Sequence, residues 1–553
     1  MERKRTSSGF TLLLVSAMYL FAALVPVNAQ TFPTPGYFRR TFKQQPLTPN
    51  PHAPTGLHDY IVSGKLTLTL DDAIRLALEN NTGVFVDRQS IDSAKYNVMS
   101  AYTPFDPLST DSFSTSRNIS PSYTQLSGAP TLSELSQTTT LGYSQTLETG
   151  TNYQVQFFGN KYSTNSSFFF YNPALSSTLQ ISVSQPLLKG RGLFANRAPI
   201  IIAQRGLNQT RAQFEGQVND IILQAVEQYW QVVQARESLK VLQESLDLAQ
   251  KTYDQNKRAL ELGALPPLDI YRSESEVAQR RVAVIQGEYA LDQVEDRLRQ
   301  TLGADLDPYV QALDLDLIDD PEPHGPLYAL DLPTALEEAE ENRPELEAAR
   351  QQLLGDEASI RLAENSVQPS LILSGLYASN GLAGDLLGPS TPPTVISQTG
   401  FGHSLNQIFG LDNPTYGFTL TLTLPIRNHA GQAALGSARV NRRRDLYAER
   451  QAGQTIDLDV RNSVHDLEEA KLSMSAAKVA LDLAHKTLQA EQRKYELGTE
   501  TIFFVLEAQT ELASAEQSLV QSEINYQIAV NEVEHATGGL LSRYRVQVEK
   551  LAG

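Results

Sequence analysis

Cysteine is absent from the 553 residues, which removes disulfide staples, thiolate metal ligands, a cysteine nucleophile and a lipidated N-terminal cysteine together. Methionine is scarce, at 4 residues, and argues against a thioether relay for Cu(I). Positive charge is in deficit: 45 Lys+Arg stand against 63 Asp+Glu, a net charge of −18, and no basic stripe compensates locally. Such a chain repels phosphate backbones, so nucleic acid is a poor partner. No interior run is long and apolar enough for a transmembrane helix. With 41% hydrophobic and 20% charged residues and a mean hydropathy of −0.28, the chain is neither disordered nor a polytopic helical membrane protein. Catalytic fingerprints are missing too: there is no HExxH, P-loop or GxSxG, and Gly190-Arg191-Gly192 lacks the strand–turn–helix setting of a dinucleotide site. His465, Asp466, Glu468 and Glu469 read as the solvated face of a long helix, so no enzyme, metal or cofactor is expected.

What is present begins with Arg3, Lys4 and Arg5, an apolar stretch from Phe10 to Val27, and Val27-Asn28-Ala29, which is small enough for signal peptidase. The expectation is a secretory signal over residues 1–29. Residues 30–64 hold Pro33, Pro35, Pro46, Pro49, Pro51 and Pro54, a density that blocks helix and predicts an extended arm. A helix is predicted from Leu70, with Asp71 and Asp72 in its first turn, breaking at Asn80-Asn81; a second should run from Thr82 to Tyr102.

Between about residues 105 and 186, and again between 369 and 425, the apolar period changes to two. Leu179, Ile181 and Val183 alternate with Gln180, Ser182 and Ser184; Tyr153, Val155 and Phe157 alternate with Gln154 and Gln156. Tyr416, Phe418, Leu420, Leu422 and Leu424 face away from Gly417, Thr419, Thr421 and Thr423. Periodicity alone leaves two readings open, a strand between lipid and water or a half-buried strand of a soluble sheet.

Elsewhere helix dominates. No proline occurs between Pro199 and Pro266, nor after Pro425, which permits helices of about 60–70 residues, roughly 90–105 Å long. Apolar residues recur at three and four: Leu239, Leu242, Leu246, Ala249 and Tyr253 in one, Leu512, Ala515, Leu519, Ser522, Tyr526, Ala529 and Val533 in another. Small seam residues and a polar remainder predict a curved palisade of closely approaching helices with one face in water.

The chain is also duplicated. Leu246-Asp247-Leu248-Ala249 recurs as Leu481-Asp482-Leu483-Ala484, an offset of 235 (481 − 246), at which Glu261-Leu262-Gly263 matches Glu496-Leu497-Gly498 and Gly303 matches Gly538. The short-helix start at Leu70, Ala73, Ala77 and Asn80 matches Leu332, Ala335, Ala339 and Asn342 at an offset of 262 (332 − 70). The first copy therefore holds 27 extra residues (262 − 235). They fit in Phe105–Pro186 as a longer external loop or an added hairpin around Glu148-Thr149-Gly150-Thr151, leaving four or six strands per chain open. The organisation expected is a first repeat over 65–303 with its helix hairpin at 190–303, an acidic connector over 304–329, a second repeat over 330–538 with its hairpin at 429–538, and a tail over 539–553. A few strands cannot cross a membrane with open edges, so several chains must pool theirs into a closed barrel.

In the order, duplication and spacing of these features the sequence resembles the TolC family of outer-membrane efflux proteins. Phe105-Asp106-Pro107, Gln185-Pro186-Leu187-Leu188, Leu424-Pro425-Ile426 and the two Leu-Gly hairpins carry the resemblance together with the paired short-helix starts. It implies a mainly α fold with β: a duplicated, long-helix, coiled-coil α-barrel plus strands pooled into a trimeric transmembrane β-barrel. It also implies a homotrimer in the outer membrane that extends into the periplasm as a passive exit duct. The partners would be outer-membrane lipid, a periplasmic adaptor and an inner-membrane pump of RND, ABC or MFS type. From the residues alone Leu-Gly reads as an ordinary helix C-cap; the resemblance instead makes the hairpins adaptor-docking tips, at Leu262, Gly263, Leu497 and Gly498. The resemblance further implies a periplasmic gate at Asp269, Tyr495, Phe504 and Glu507. Phe504 and Glu507 stand where aspartates are usual and Glu500 where an arginine is, so closure by an apolar Phe504 ring is the alternative. The rival from another class is a non-transporting coiled-coil protein of the envelope, with a soluble strand cap.

Overall fold

The computed structural model describes residues 53–262, 267–389 and 394–548. The expected signal and most of the Pro-rich arm lie outside them. The first copy comprises β1 (Ile61–Val62), β2 (Lys65–Leu68), α1 (Leu70–Asn80), α2 (Thr82–Ser100), β3 (Leu108–Pro121), β4 (Thr131–Thr146), β5 (Asn152–Thr164), β6 (Tyr171–Pro186), α3 (Gly192–Glu261) and α4 (Pro267–Thr301). The connector holds α5 (Pro308–Gln311) and β7 (Asp314–Leu317). The second copy comprises α6 (Leu332–Asn342), α7 (Pro344–Val367), β8 (Ser370–Leu387), β9 (Val395–Thr399), α8 (Phe401–Gly410), β10 (Pro414–Thr423), α9 (His429–Glu496) and α10 (Ile502–Ala536), followed by α11 (Leu540–Arg543).

The chain divides into two units. The sheet unit takes residues 102–197 and 364–431 of the described chain. Its strands follow the order β10-β8-β6-β5-β4-β3, with β9 also on β8, and every pairing is antiparallel. The 27-residue excess is the added hairpin. β4 and β5 join at a tight turn where Leu147 N–H donates to Thr151 O (2.8 Å) and Gly150 N–H to Leu147 O (2.8 Å). Gly150 has φ 86°, a conformation that disfavours a side chain. A Cβ there would also press on Gly190 O, so the turn is built to sit against the start of α3.

The register is staggered. Leu108, the first residue of β3, lies in a row through Ser144, Gln154, Ser182 and Leu376, six residues beyond the start of β8 (376 − 370). At about 3.4 Å per residue and about 4.8 Å per strand, that offset over four steps is a tilt of about 45°. A flat open sheet needs no such offset; a barrel does.

In the helical unit α3 has 70 residues and α9 has 68. Thr69 caps α1 with a reciprocal box, its Oγ1 accepting from Asp72 N–H (3.2 Å) and Asp72 Oδ2 from Thr69 N–H (3.3 Å). This adds a hydrogen-bonded reason for helix to start there beyond the dipole. Tyr229 and Trp230 of α3, Leu298 of α4 and Leu302 just past its end are buried with Leu66 and Leu68 of β2 in the main core. The connector is more than a linker. β7 pairs in parallel with β2, and Asp319 accepts from Leu70 N–H (2.7 Å) and from the Tyr229 hydroxyl (2.6 Å). Burial first, and this bond second, push the Tyr229 hydroxyl pKa up. The repeat signature also has a contact behind it. Gly303 (φ 67°) lies against Asn80, and Gly538 (φ 77°) lies against Asn342; a Cβ on either glycine would meet that asparagine's carbonyl oxygen at 2.9 Å.

Candidate functional site

On the sheet, strand pairing puts Tyr416, Tyr377, Ile181, Val155 and Tyr143 in one row. Antiparallel partners share a face, so the row is apolar across five strands. The next residue along, Thr415, starts the row Thr415, Ala378, Gln180, Gln156, Gly142 and Thr110 on the opposite face. Phe418 and Leu420 continue the first face and are 82% and 57% exposed. Leu422 ends it within β10, and Leu424 lies one residue past the strand, exposed like the others. Exposed aromatic and aliphatic side chains on one face, with Thr, Ser and Gln on the other, are the alternation of a barrel wall between lipid and water. Both β3 and β10 lack a partner on their outer edges among the described residues. Unpaired edges beside an apolar face cannot persist in lipid.

At the ends of the long helices, α9 stops where Gly498 turns to φ 72°. Gly498 N–H donates to Tyr495 O (2.9 Å) and Thr499 N–H to Lys494 O (3.0 Å), the carbonyl-satisfying pattern of a left-handed C-cap. Leu497 is 65% exposed and Leu262, directly after α3, is 84% exposed. Around Gly498 there is open space within 4 Å of where a Cβ would stand. Gly263, and the side chain of Asp269, lie outside the described residues.

Tyr495 is half-buried against the core of α9 and α10 that holds Leu488, Ile502 and Val505. Its hydroxyl donates to Asn256 Oδ1 (2.8 Å), whose Nδ2 donates to Ser273 Oγ (2.7 Å). Three helices, α3, α4 and α9, are thereby tied together near their ends. A second buried bond joins Gln509 Nε2 to Thr252 Oγ1 (3.0 Å). Phe504 packs edge-on to Phe503, with ring centroids 5.5 Å apart, and remains 42% exposed. Glu507 is exposed one turn later. The Glu491 carboxylate, 2.6 Å from Lys494 Nζ, raises that ammonium's pKa. The structure thus joins Tyr495 to Asn256 and Ser273, two residues that the sequence pattern alone does not single out. Thr252 and Asn256 extend the seam spacing from Ala249 in steps of three and four, and that spacing is the signal that points to them.

Against known families, the outer membrane efflux protein family matches residues 73–304 and 335–539. The chain belongs to this family. Outer membrane protein TolC of Escherichia coli (strain K12) is 26% identical over 325 residues, 58% of this chain and 62% of TolC. TolC of Salmonella enteritidis is 25% identical over 327 residues, 58% and 61% of the two chains. This outer membrane efflux protein therefore aligns with about three-fifths of the length of those relatives. Among solved structures, a membrane protein from Pseudomonas aeruginosa superimposes with a TM-score of 0.62 at 18% identity, covering 89% of this chain and 97% of that one. The Campylobacter jejuni CmeC outer membrane channel does so with a TM-score of 0.61 at 16% identity, covering 91% and 98%. At those identities the likeness establishes the fold, a long-helix α-barrel with a β-barrel, in a protein of the outer membrane.

Proposed function

We propose that this chain is the outer-membrane exit duct of a tripartite exporter: a passive homotrimer through which small molecules or proteins pass outward from a periplasmic adaptor and an inner-membrane pump. The observation that carries the reading is the six-strand path with two free edges, one face of which is apolar across five strands, while β3 brings Asp111 and Arg117 to that face. In that path β3 and β10 run antiparallel to each other, so β10 of one copy can pair with β3 of the next by ordinary antiparallel bonds. Three copies of six strands make eighteen. At about 4.8 Å per strand and about 45° of tilt, the backbone ring is about 39 Å across. Its inner wall carries the Thr, Ser and Gln face, which suits hydrated cargo and needs no catalytic group.

The tips at Leu262, Leu497 and Gly498 are where the adaptor docks, and Gly263 belongs to the same hairpin. Exposed leucines beside a residue with no side chain give a partner a close apolar approach. Tyr495, Phe504 and Glu507, with Asp269, form the gate; the Tyr495–Asn256–Ser273 chain holds it shut. A coiled-coil scaffold without transport gives no reason for a broad exposed apolar face on a tilted sheet.

The test is envelope fractionation followed by the native mass of the detergent-extracted protein. An outer-membrane species of three chains supports the duct. A water-soluble monomer or dimer refutes it, because barrel closure makes trimerisation and insertion one event.

A further inference from the structure

The return path from β8 comes in two pieces. β9 pairs with β8 at residues 384–387 and β10 at residues 370–379. Between them the chain makes the 10-residue helix α8, and strand parity fixes where that helix lies. Ser379 Oγ donates to Ile408 O (2.8 Å), and Ser177 and Ser404 hydroxyls meet at 2.8 Å, buried. Ser379 and Ser177 belong to the same face as Tyr377 and Ile181, the apolar one. Under the helix that face is stripped of bulk. A Cβ on Gly381 would collide with the Ser404 carbonyl, and one on Gly159 would press on the Phe401 ring at 3.2 Å. The sheet leaves a seat for the helix where it elsewhere carries Leu, Tyr and Phe.

The side of α8 turned away from the seat carries Phe409, with Leu411 just past the helix end, alongside the exposed His403 and Asn406. Phe409 and Leu411 are 54% and 55% exposed, and the helix carries no Asp, Glu, Lys or Arg. Backbone groups are closed off with unusual care in this gap: Leu382 N–H donates to Gln407 Oε1 (2.8 Å) and Asn380 N–H to Asn413 O (3.1 Å). A water-exposed edge has no need of that, whereas a lipid-exposed one does. The height also agrees. From Leu371 to Gly381 the strand climbs about 24 Å along the barrel axis at about 3.4 Å per residue and about 45° of tilt, against an apolar band of about 25 Å. Lys161, exposed on β5 two residues above Gly159, puts a charge on this face just past the helix.

We infer that α8 is an interfacial anchor: it lies flat at the outer rim of the apolar band, with Phe409 and Leu411 among the upper acyl chains of the outer leaflet, and sets how deep the barrel sits. This rests on reading the apolar sheet face as the lipid face. Short and free of Asp, Glu, Lys and Arg, the helix gains from burying Phe409 and Leu411 in lipid while His403 and Asn406 face the headgroups, and three copies place three such anchors around the rim.

The chain has no cysteine, so one introduced cysteine carries one spin label. Phe409→Cys and Leu420→Cys, each labelled in the full-length protein reconstituted in phospholipid vesicles, are compared for collisions with oxygen, which partitions into lipid, and with a nickel chelate, which stays in water. The expected result is oxygen exceeding nickel at both sites, with the label at 409 shallower than that at 420. Nickel exceeding oxygen at 409 while oxygen dominates at 420 overturns the anchor and leaves the lipid face standing. Nickel dominating at both overturns the lipid face and the anchor with it. A third variant, Gly381→Leu with Phe409→Cys, unseats the helix and is expected to mobilise the label at 409 without changing collisions at 420.

Discussion

An arginine scan along β10 tests the barrel wall quantitatively. Phe418 pairs with Gly375, five residues above the start of β8 (375 − 370). At about 3.4 Å per residue and about 45° of tilt that is about 12 Å up a band of about 25 Å, the bilayer midplane. Leu422 pairs with Leu371 at the lower rim, and Leu420, paired with Leu373, lies between. Arginine on the lipid face costs about 2–4 kcal/mol at the midplane and about 0–1 kcal/mol at the interface. Phe418→Arg should therefore destabilise a trimer by about 6–12 kcal/mol, three times the per-chain figure, with Leu420→Arg intermediate and Leu422→Arg near wild type. Thr419→Arg, on the same strand but the opposite face, is the control and should cost little, because its guanidinium stays in water. Folding into lipid vesicles from denaturant, read as the yield of heat-sensitive trimer on a gel, reports the series. Equal losses for Thr419→Arg and Phe418→Arg, or no gradient from Phe418 to Leu422, would refute the assignment of faces.

Other consequences are as specific. Gly498→Glu forces a side chain onto a backbone at φ 72° and puts charge at the tip; trimer yield should stay normal while export in cells falls, and intact export removes the docking role. Tyr495→Phe deletes the bond to Asn256 at a cost of about 1 kcal/mol, so single-channel recordings should show more frequent spontaneous opening, and an unchanged closed state would take Tyr495 out of the gate. Burial, and secondarily the Asp445 carboxylate, push Asp356 from 3.8 to about 6. An acid raised in this way stabilises the fold fully below its ordinary value, and that stability is lost as pH rises through about 6. Asp356→Asn should therefore flatten the decline in melting temperature between about pH 4 and about pH 7, the window from the ordinary value to just above the raised one; an unaltered slope would place the titration elsewhere.

Much of this architecture is legible in the residue pattern alone. Proline-free stretches and seam residues announce α3 and α9, and Asn80-Asn81 marks a break because Asn81 both ends α1 and caps α2 through Gly83 N–H. Period-two alternation exposes the strands, yet it cannot count them. Glu148-Thr149-Gly150-Thr151 suits a loop or a turn alike, and only the pairing of β4 with β5 decides it. Helix α8 hides inside a segment whose flanks alternate like strands, though Phe401, Leu405 and Ile408 carry helical spacing. The strands β2 and β7 are 4 residues each, too short for a period to declare itself. The Asn256 and Gln509 networks escape because a polar residue on a long helix reads as surface unless its place on the seam is followed.

The added hairpin bears on how such a pore can change size. Adding one strand would leave β3 and β10 running the same way, and each junction between copies would have to become parallel. A hairpin adds two strands and restores the original polarity at the junction. Bore in this architecture is therefore quantised, and a duplication of one β-turn-β segment, repeated by symmetry, is the smallest heritable step that widens the pore and still lets the ring close.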